Sequence, residues 1–324
     1  MGANPNGGRR DWSNGASADL RAIYFGSNGT FSAPTLSAFL AGGVEVCAVV
    51  LAAPPAGSWA PAIWSLPFTG TPTFRTALPL LGGMPERGIV DIAREWGIPV
   101  FAARTLGAPA AVDAIRALKP DIICAACYPR RVPKAVLDLP PLGCVNVHPS
   151  LLPRNRGPAP LFWTFREGAG DTGVSVHIMS DEIDAGSMVK QAGLSVPDGI
   201  TGEQMERRCA VLGGELLLRA VRGLAAGTTV PIPQETTRAS YRGWPTDPDF
   251  EISAHWSARR AFNFIRGVSD WPQSPVIVAD GERIAVGAVS GYDDDASLPR
   301  AFVVDGSELL ALFSPGVLRI SAWE

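Results

Sequence analysis

In the first part of the chain, short continuous apolar runs alternate with segments whose apolar residues recur at helical spacing. The apolar run LRAIYFG ends at Gly26, and after it Phe31, Leu36 and Phe39 recur with helical spacing before a second apolar run, VEVCAVVL. A strand, a helix and a second strand in this order are typical of the opening of a parallel sheet. The intervening turn, GSNGT, lacks the full G-x-G-x-x-G pattern, so it predicts no nucleotide site.

The same alternation continues to about residue 228. The runs IPVFAA, DIICAACY, GCVNVHPS and GVSVHIMS predict strands, and IVDIAREWG, AAVDAIRALK and PKAVLDLP predict helices. The longest predicted helix covers 202–227, where Thr201 is a suitable N-cap residue. We therefore predict an α/β domain with a Rossmann-like, mainly parallel sheet over residues 21–228.

The two ends of the chain have different patterns. Residues 1–20 are rich in Gly, Asn and Ser without an apolar run, which favours a disordered leader over a secretory signal. After a linker rich in Thr and Pro, one helix and several short strands with Gly and Asp turns follow. This pattern predicts a small antiparallel, OB-like β-barrel domain over 229–324.

Residues 53–88 interrupt the alternation. The segment is rich in proline, contains the aromatic residues Trp59, Trp64 and Phe68, and has only three charges. No period of two or 3.6 residues is present, so we predict a long surface excursion. Its aromatic residues could form a lid or a docking patch, or could simply pack against their own domain.

Composition and charge exclude several classes of protein. With 46% apolar and 18% charged residues the chain can form a sizeable core, and it has no uninterrupted apolar stretch long enough for a membrane span. The formal charge of −3 does not favour a nucleic-acid-binding protein. Cys124 and Cys127 have CxxC spacing, but no second pair lies nearby, so we predict reduced thiols, no metal site and a cytoplasmic location.

Two segments contain the candidate chemistry. Alternation in CVNVHPS places Asn146 and His148 on one side of a strand end, where both could donate to a carbonyl oxygen that gains charge. The loop HIMSDEIDAG contains Asp184 before a small Ala-Gly pair, and a carboxylate beside His148 would raise the basicity of the imidazole. Taken alone, Asn or His near a strand end is usually a turn-former or a satisfied core polar group, and an acidic loop is commonly a solvated turn. His177, which precedes the loop, could support the site or only pack beneath it.

The segments NVHPSLLPRNRGPAP and TGVSVHIMSDEIDAG resemble the 10-formyltetrahydrofolate-dependent formyltransferase superfamily, and within it most of all the methionyl-tRNA formyltransferases. Asn146, His148 and Asp184 fall on the three catalytic positions of that family. The resemblance implies 10-formyltetrahydrofolate as co-substrate, no metal, and an amine that attacks the formyl carbon. It also implies contacts to the folate from Tyr128, Pro129, Arg130, Arg131, Val132, Ser150, Asp181 and Ile183.

The 53–88 segment departs from the family pattern. In the tRNA-modifying members this region is a basic loop, whereas here it offers Arg75 and Arg87 against Glu86. Because binding a tRNA stem requires several cations, this departure favours a small or carrier-bound amine: an amino sugar nucleotide, a hydroxyornithine-like compound or an aminoacyl group. Methionyl-tRNA is the alternative acceptor, and a 10-formyltetrahydrofolate hydrolase or a non-catalytic binding module are the alternative functions.

Overall fold

The computed structural model describes residues 20–54, 61–67 and 87–324. The predicted leader therefore lies outside the described residues except for Leu20, as does most of the 53–88 excursion. Among the residues described, no helix is both long and apolar enough to cross a bilayer.

An eight-stranded sheet forms the first and larger part of the fold. Its strands are β1 (Arg21–Gly26), β2 (Glu45–Ala52), β3 (Ile63–Ser65), β4 (Val100–Ala103), β5 (Ile122–Ala126), β6 (Cys144–His148), β7 (Asp171–Ile178) and β8 (Met188–Ser195). They lie in the order β3-β4-β2-β1-β5-β6-β7-β8. The five adjacent strands β4, β2, β1, β5 and β6 pair in parallel. Strands β3, β7 and β8 pair antiparallel with their neighbours. The prediction of a mainly parallel α/β sheet is confirmed.

The helices bury this sheet on both faces. They are α1 (Ser32–Ala41), α2 (Ile89–Glu95), α3 (Pro109–Ala117), α4 (Lys134–Leu137), α5 (Pro160–Glu167) and α6 (Gly202–Ala225). A further helix, α7 (Ala258–Gly267), packs against α5 and α6. Alternate residues of β1 enter different cores, with Tyr24 in one and Phe25 in the other, and both side chains are fully buried. A strand buried on both faces explains why LRAIYFG reads as a continuous apolar run.

Helix α6 begins where the sequence predicts. Thr201 caps it through a hydrogen bond from the Gln204 amide, and the Gln204 side chain accepts from the Thr201 amide. The helix packs closely on α1, because a Cβ atom at Gly214 would lie 2.7 Å from the Thr35 carbonyl oxygen. This close packing brings the first turns of α6 next to the turn that follows β1.

Strand β3 corrects the prediction that the 53–88 segment has no regular structure. Ile63 pairs with Ala103 and Ser65 with Phe101, so β3 forms the edge of the sheet beside β4. Three residues are too few to show a period of two, and the pairing partner is nearly forty positions away in sequence. Local pattern alone could not reveal this strand.

The C-terminal part contains a second sheet of six strands: β9 (Glu251–Ser253), β10 (Val276–Ala279), β11 (Glu282–Asp293), β12 (Phe302–Asp305), β13 (Glu308–Leu312) and β14 (Val317–Trp323). The order is β12-β13-β14-β11-β10-β9, and only the β9–β10 pair is parallel. Within the described part of the chain the edge strands β9 and β12 do not pair. The sheet is thus mixed, and closure into an OB-like barrel stays a prediction, as does the domain boundary at 228.

Candidate active site

Asn146 and His148 lie at the carboxyl end of β6, the last of the parallel strands. Val147 between them points into the core with 2% exposure, so its two neighbours turn to the opposite side. The His148 side chain is buried and Asn146 is half-buried. The predicted alternation therefore places an amide and an imidazole side by side at the edge of the sheet.

Asp184 joins them from the loop between β7 and β8. Its Oδ2 atom lies 3.6 Å from His148 Nδ1, and its Oδ1 atom lies 3.5 Å from Asn146 Nδ2. The Gly157 amide donates to Oδ2 over 2.9 Å. The structure thus brings together the three residues that the resemblance marked as catalytic, although they come from two distant segments.

His177 completes this cluster. It sits opposite Asn146 in the β6–β7 pairing, and its Nε2 atom lies 3.4 Å from Asp184 Oδ1 and 3.3 Å from Asn146 Nδ2. The sequence left its contribution open. The structure places this side chain, which is 2% exposed, directly beneath the Asp184 carboxylate.

In both imidazoles one ring nitrogen is bonded to a main-chain carbonyl. His148 Nε2 lies 2.8 Å from the Asn155 carbonyl, and His177 Nδ1 lies 2.9 Å from the Ile178 carbonyl. Since a carbonyl oxygen only accepts, each of these nitrogens must carry the proton. The other nitrogen of each ring therefore faces Asp184.

The pKa values of this cluster are shifted for identifiable reasons. Burial raises the pKa of Asp184, but His148, His177 and the Gly157 amide outweigh burial and hold the pKa well below its usual value. Burial lowers the pKa of His148 below its usual value, although Asp184 and the Asn155 carbonyl act in the opposite direction. At neutral pH the arrangement is an ionised carboxylate beside a neutral imidazole whose Nδ1 lone pair is free to accept a proton.

Gln234 is a site residue that the sequence analysis missed. Its Nε2 atom donates to the carbonyls of Asp184 (2.8 Å) and Gly186 (2.7 Å), and its Oε1 atom accepts from Arg156 Nη2 over 2.8 Å. Gln234 lies in the segment read as a linker, which pairs with the sheet edge through Met188 and Ile232. A single polar residue in a Thr- and Pro-rich linker gives no local signal of this role.

Two glycines permit the close packing of the site loops. Gly157 has φ of +114°, and a Cβ atom there would lie 2.0 Å from the Arg242 carbonyl oxygen. At Gly186 a Cβ atom would lie 1.8 Å from the Ile178 carbonyl oxygen. Gly186 therefore lets the loop that carries Asp184 approach the end of its own supporting strand, β7.

A cleft of about 410 Å³ opens beside the cluster. Asn146, His148, His177 and Asp184 line it. Of the residues predicted to contact the folate, those that line the cleft are Tyr128, Pro129, Arg130, Arg131, Val132, Asp181 and Ile183. Ser150 does not line it, because its buried hydroxyl donates to the Arg154 carbonyl over 2.8 Å inside the following turn.

Both arginines of the cleft are engaged by the protein. The guanidinium of Arg130 donates to the carbonyls of Ala53 and Arg104, which follow β2 and β4. Arg131 donates to the Asp181 carbonyl over 2.8 Å and lies 3.5 Å from its carboxylate. Arg130 thus ties two strand ends together, and Arg131 links the two loops that form the cleft walls.

The described residues include no cluster of His, Cys, Asp and Glu suited to a metal ion. Cys124 and Cys127 are free thiols, and burial raises the pKa of both well above the usual value. Cys127 also lines the cleft.

Comparison with known proteins identifies the family. The family model described as formyl transferase matches residues 81–221. The methionyl-tRNA formyltransferase of Syntrophus aciditrophicus is 34% identical over 253 residues, which cover 71% of this chain and 80% of that protein. That of Pelobacter propionicus is 33% identical over 238 residues, covering 66% and 74% of the two chains.

Solved structures share the fold. An N-formyltransferase from Helicobacter canadensis, in complex with folinic acid and dTDP-3-aminofucose, superposes with a TM-score of 0.63 and 14% identity, covering 94% of this chain and all of that one. HypX from Aquifex aeolicus with tetrahydrofolic acid has a TM-score of 0.57 and 16% identity, and this chain spans 43% of its length. With relatives that are 33–34% identical over most of their length, the chain belongs to the folate-dependent formyltransferase family.

Proposed function

We propose that the protein transfers the formyl group of 10-formyltetrahydrofolate to a primary amine, with Asn146, His148 and Asp184 as the catalytic residues. One observation carries the proposal. An ionised carboxylate lies 3.6 Å from a buried imidazole whose opposite nitrogen is committed to a carbonyl, and both side chains line one cleft.

The cleft suits a folate. The Tyr128 hydroxyl is buried in the cleft wall and has no hydrogen-bond partner among the described residues, so a heteroatom of a ligand would satisfy it. The Tyr128 ring is held against Phe25 with centroids 5.1 Å apart. Residues 128–132 and 179–184 line the adjoining walls. Their main-chain groups would hold the pterin, and the bound folate would supply the activated formyl group.

His148 is the base in this mechanism. Its Nδ1 atom accepts the proton of the amine as the amine nitrogen bonds to the formyl carbon. Asp184 stabilises the resulting imidazolium. The Nδ1–H group then donates the proton to the departing N10 nitrogen, so the products are the formamide and tetrahydrofolate, and no proton is gained or lost.

Asn146 stabilises the formyl oxygen as it becomes negative. Its Nδ2 atom makes only long contacts to Asp184 and His177, at 3.5 and 3.3 Å, so a donor remains available for a ligand in the cleft. His148 can donate to this oxygen only in its protonated form, because its Nε2–H group is held by Asn155. Loss of one such donor lowers the rate by roughly 10²–10³-fold.

His177 acts as a positioning residue in this proposal. Its unprotonated Nε2 atom can accept from Asn146 Nδ2 over 3.3 Å and so orient that amide toward Asp184. The Gly157 amide on Oδ2 and the Asn146 amide near Oδ1 are the donors that set the orientation of the carboxylate.

A small or carrier-bound amine is the favoured acceptor. Arg87, the one cation of the 53–88 segment in the described chain, is paired with Glu95, while Arg75 lies outside the described residues. The fold is shared with the Helicobacter canadensis enzyme that was solved with an amino sugar nucleotide. Methionyl-tRNA is the second candidate acceptor, which the names of the sequence relatives support.

An acceptor assay tests the proposal. The protein is incubated with 10-formyltetrahydrofolate and, in turn, methionyl-tRNA, a dTDP-amino sugar and hydroxyornithine, while tetrahydrofolate and formate are measured. Amine-dependent formation of tetrahydrofolate is expected. Formate release without any amine would indicate a hydrolase, and no turnover with any amine would indicate a binding module.

His148→Ala tests the assigned base. Turnover is expected to fall by roughly 10²-fold or more, while folate binding is retained. His255→Ala is the matched control, because His255 is exposed and far along the chain from the site. The assignment is wrong if the His148 variant keeps a rate within about threefold of the wild type.

A further inference from the structure

The cleft extends beyond the catalytic cluster along residues that have no part in the mechanism. We call these residues the acceptor arm: Phe31, Leu161, Glu206, Tyr241, Trp244 and Trp271. They come from the start of α1, from α5 and α6, from the linker, and from the turn after α7. The arm is therefore built where the two parts of the chain meet, and it combines aromatic rings with one carboxyl group.

Glu206 is the polar centre of the arm. It lies in the second turn of α6 with 3% of its surface exposed, and its Oε2 atom accepts a hydrogen bond of 2.7 Å from the Thr30 hydroxyl. No described residue donates to Oε1, although Glu206 lines the cleft. A largely buried carboxyl group that receives one hydrogen bond from the protein and lines a cleft can accept a further hydrogen bond from a ligand.

The charged surroundings of Glu206 are acidic. Burial, opposed only by the Thr30 hydroxyl and assisted by Asp270 and Glu203, raises the pKa of Glu206 to about 8. The thiols of Cys127 and Cys209 also face it. Among the groups that shift this pKa there is no cation, so the protein itself does not compensate a negative charge at this position.

The rest of the cleft is equally poor in free positive charge. Its described wall contains four carboxyl groups, those of Asp181, Glu182, Asp184 and Glu206. The two arginines of the wall, Arg130 and Arg131, are bound to loop carbonyls and to Asp181. A phosphate in the cleft would have to compete with these contacts for either arginine, whereas a ligand cation would find a carboxyl group.

The aromatic residues favour the same kind of ligand. Tyr241 and Trp244 remain 58% and 39% exposed, and the rings of Trp244 and Trp271 lie 6.4 Å apart between centroids. The faces of tyrosine and tryptophan rings attract ammonium and guanidinium groups. Trp271 follows Asp270, which faces Glu206, so the rings and the carboxyl group belong to one region of the cleft.

We propose that Glu206 binds a second, positively charged nitrogen of the acceptor, so that the substrate class is a small diamine or an amino acid with a basic side chain. This inference rests on the proposed function, because it places the acceptor in the same cleft. One nitrogen of the acceptor, as the free amine, meets His148, and the other remains an ammonium group held by Glu206 and the aromatic rings. Because Glu206 is protonated in the free protein at neutral pH, binding of the cation releases a proton.

A binding measurement tests the site independently of catalysis. The intact protein is titrated calorimetrically with 1,4-diaminobutane and with 1-aminobutane, its monoamine counterpart. The diamine is expected to bind on the order of tenfold more tightly, as a charge-assisted hydrogen bond implies. Its heat of binding at pH 7 should depend on the ionisation enthalpy of the buffer, since a proton is released.

Two variants make the test specific. Glu206→Gln should reduce the diamine affinity by on the order of tenfold and leave the monoamine affinity unchanged. Glu215→Gln is the matched control, because Glu215 is on the same helix but solvent-exposed and outside the cleft. Equal affinity of the wild type for the two amines, no binding of either, or an unaltered diamine affinity in Glu206→Gln would overturn the inference.

A transfer assay separates this inference from the proposed function. Ornithine is compared with norvaline and 5-aminopentanoate, each of which lacks one of its two nitrogens. Faster formylation of ornithine than of both analogues, lost in Glu206→Gln, is the expected result. If no amine is formylated but the diamine still binds through Glu206, the proposed function fails and the cation site stands. If all three are formylated equally, the cation site fails and the proposed function stands.

Discussion

Replacing Gly157 by Ala should separate Asp184 from its anchoring amide while leaving every polar side chain of the site in the protein. Gly157 has φ of +114°, which an L side chain rarely adopts, and its new Cβ atom would lie 2.0 Å from the Arg242 carbonyl oxygen. The Arg242 amide is itself bonded to the Arg156 carbonyl over 2.8 Å. The two segments are therefore held together on both sides of the clash, and one of them must move.

The size of the effect follows from these distances. An ordinary contact between carbon and oxygen requires more than 3 Å, so the Gly157 backbone must shift by roughly 1 Å. Its amide donates to Asp184 Oδ2 over 2.9 Å, so the same movement breaks this hydrogen bond. Backbone strain alone costs about 1–3 kcal/mol, and displacing a catalytic group by about 1 Å lowers the rate by roughly 10²-fold.

The test combines kinetics with unfolding. Tetrahydrofolate formation with the best wild-type acceptor should fall by roughly 10²-fold, and the free energy of unfolding should fall by about 2 kcal/mol. Gly170→Ala is the control, because a Cβ atom at Gly170 meets nothing within 4 Å. A Gly157→Ala variant that folds and retains a rate within about threefold of the wild type would show that the Gly157 amide does not position Asp184 for the reaction.

Three further predictions follow from the same cluster and cleft. Gln234→Leu removes both hydrogen bonds to the Asp184 loop. The value of kcat should fall by about tenfold and the pH–rate profile should be displaced, while folate affinity stays within threefold of the wild type. An unchanged pH–rate profile would contradict a positioning role. The depressed pKa of Asp184 stabilises the folded state above the unfolded pKa of about 3.9 and ceases to do so as the pH falls through the folded value. Urea unfolding should therefore show Asp184→Asn to be less stable than the wild type at pH 6–8, with a gap that shrinks below about pH 4, and a gap that does not vary with pH would refute this. The raised pKa of Glu206 acts with the opposite sign, so wild-type stability should decline as the pH rises from about 4.5 through about 8. The melting temperature of Glu206→Gln should therefore rise relative to that of the wild type over this range. A difference in melting temperature that does not vary with pH would count against the burial of this acid.

The sequence by itself determined the parallel sheet and the strand end that carries Asn146 and His148. Buried strands such as β1 appear as continuous apolar runs because helices cover both faces, and α6 carries its own start signal in Thr201 and Gln204. The positions of Asn146 and His148 two residues apart on β6 follow from the pleat of a strand. These features can be predicted because they depend on the periodicity of residues that are neighbours in sequence.

The tertiary structure alone decided which groups support that chemistry. Gln234 reaches Asp184 from fifty positions away, Glu206 meets Thr30 across 176 positions, and β3 depends on pairing with β4. His177 joins the cluster only because β7 pairs antiparallel with β6, and Ser150 leaves the cleft because its hydroxyl turns into the adjacent loop. Each of these outcomes depends on contacts between segments far apart in sequence, and such contacts leave no periodic trace in the segments that make them.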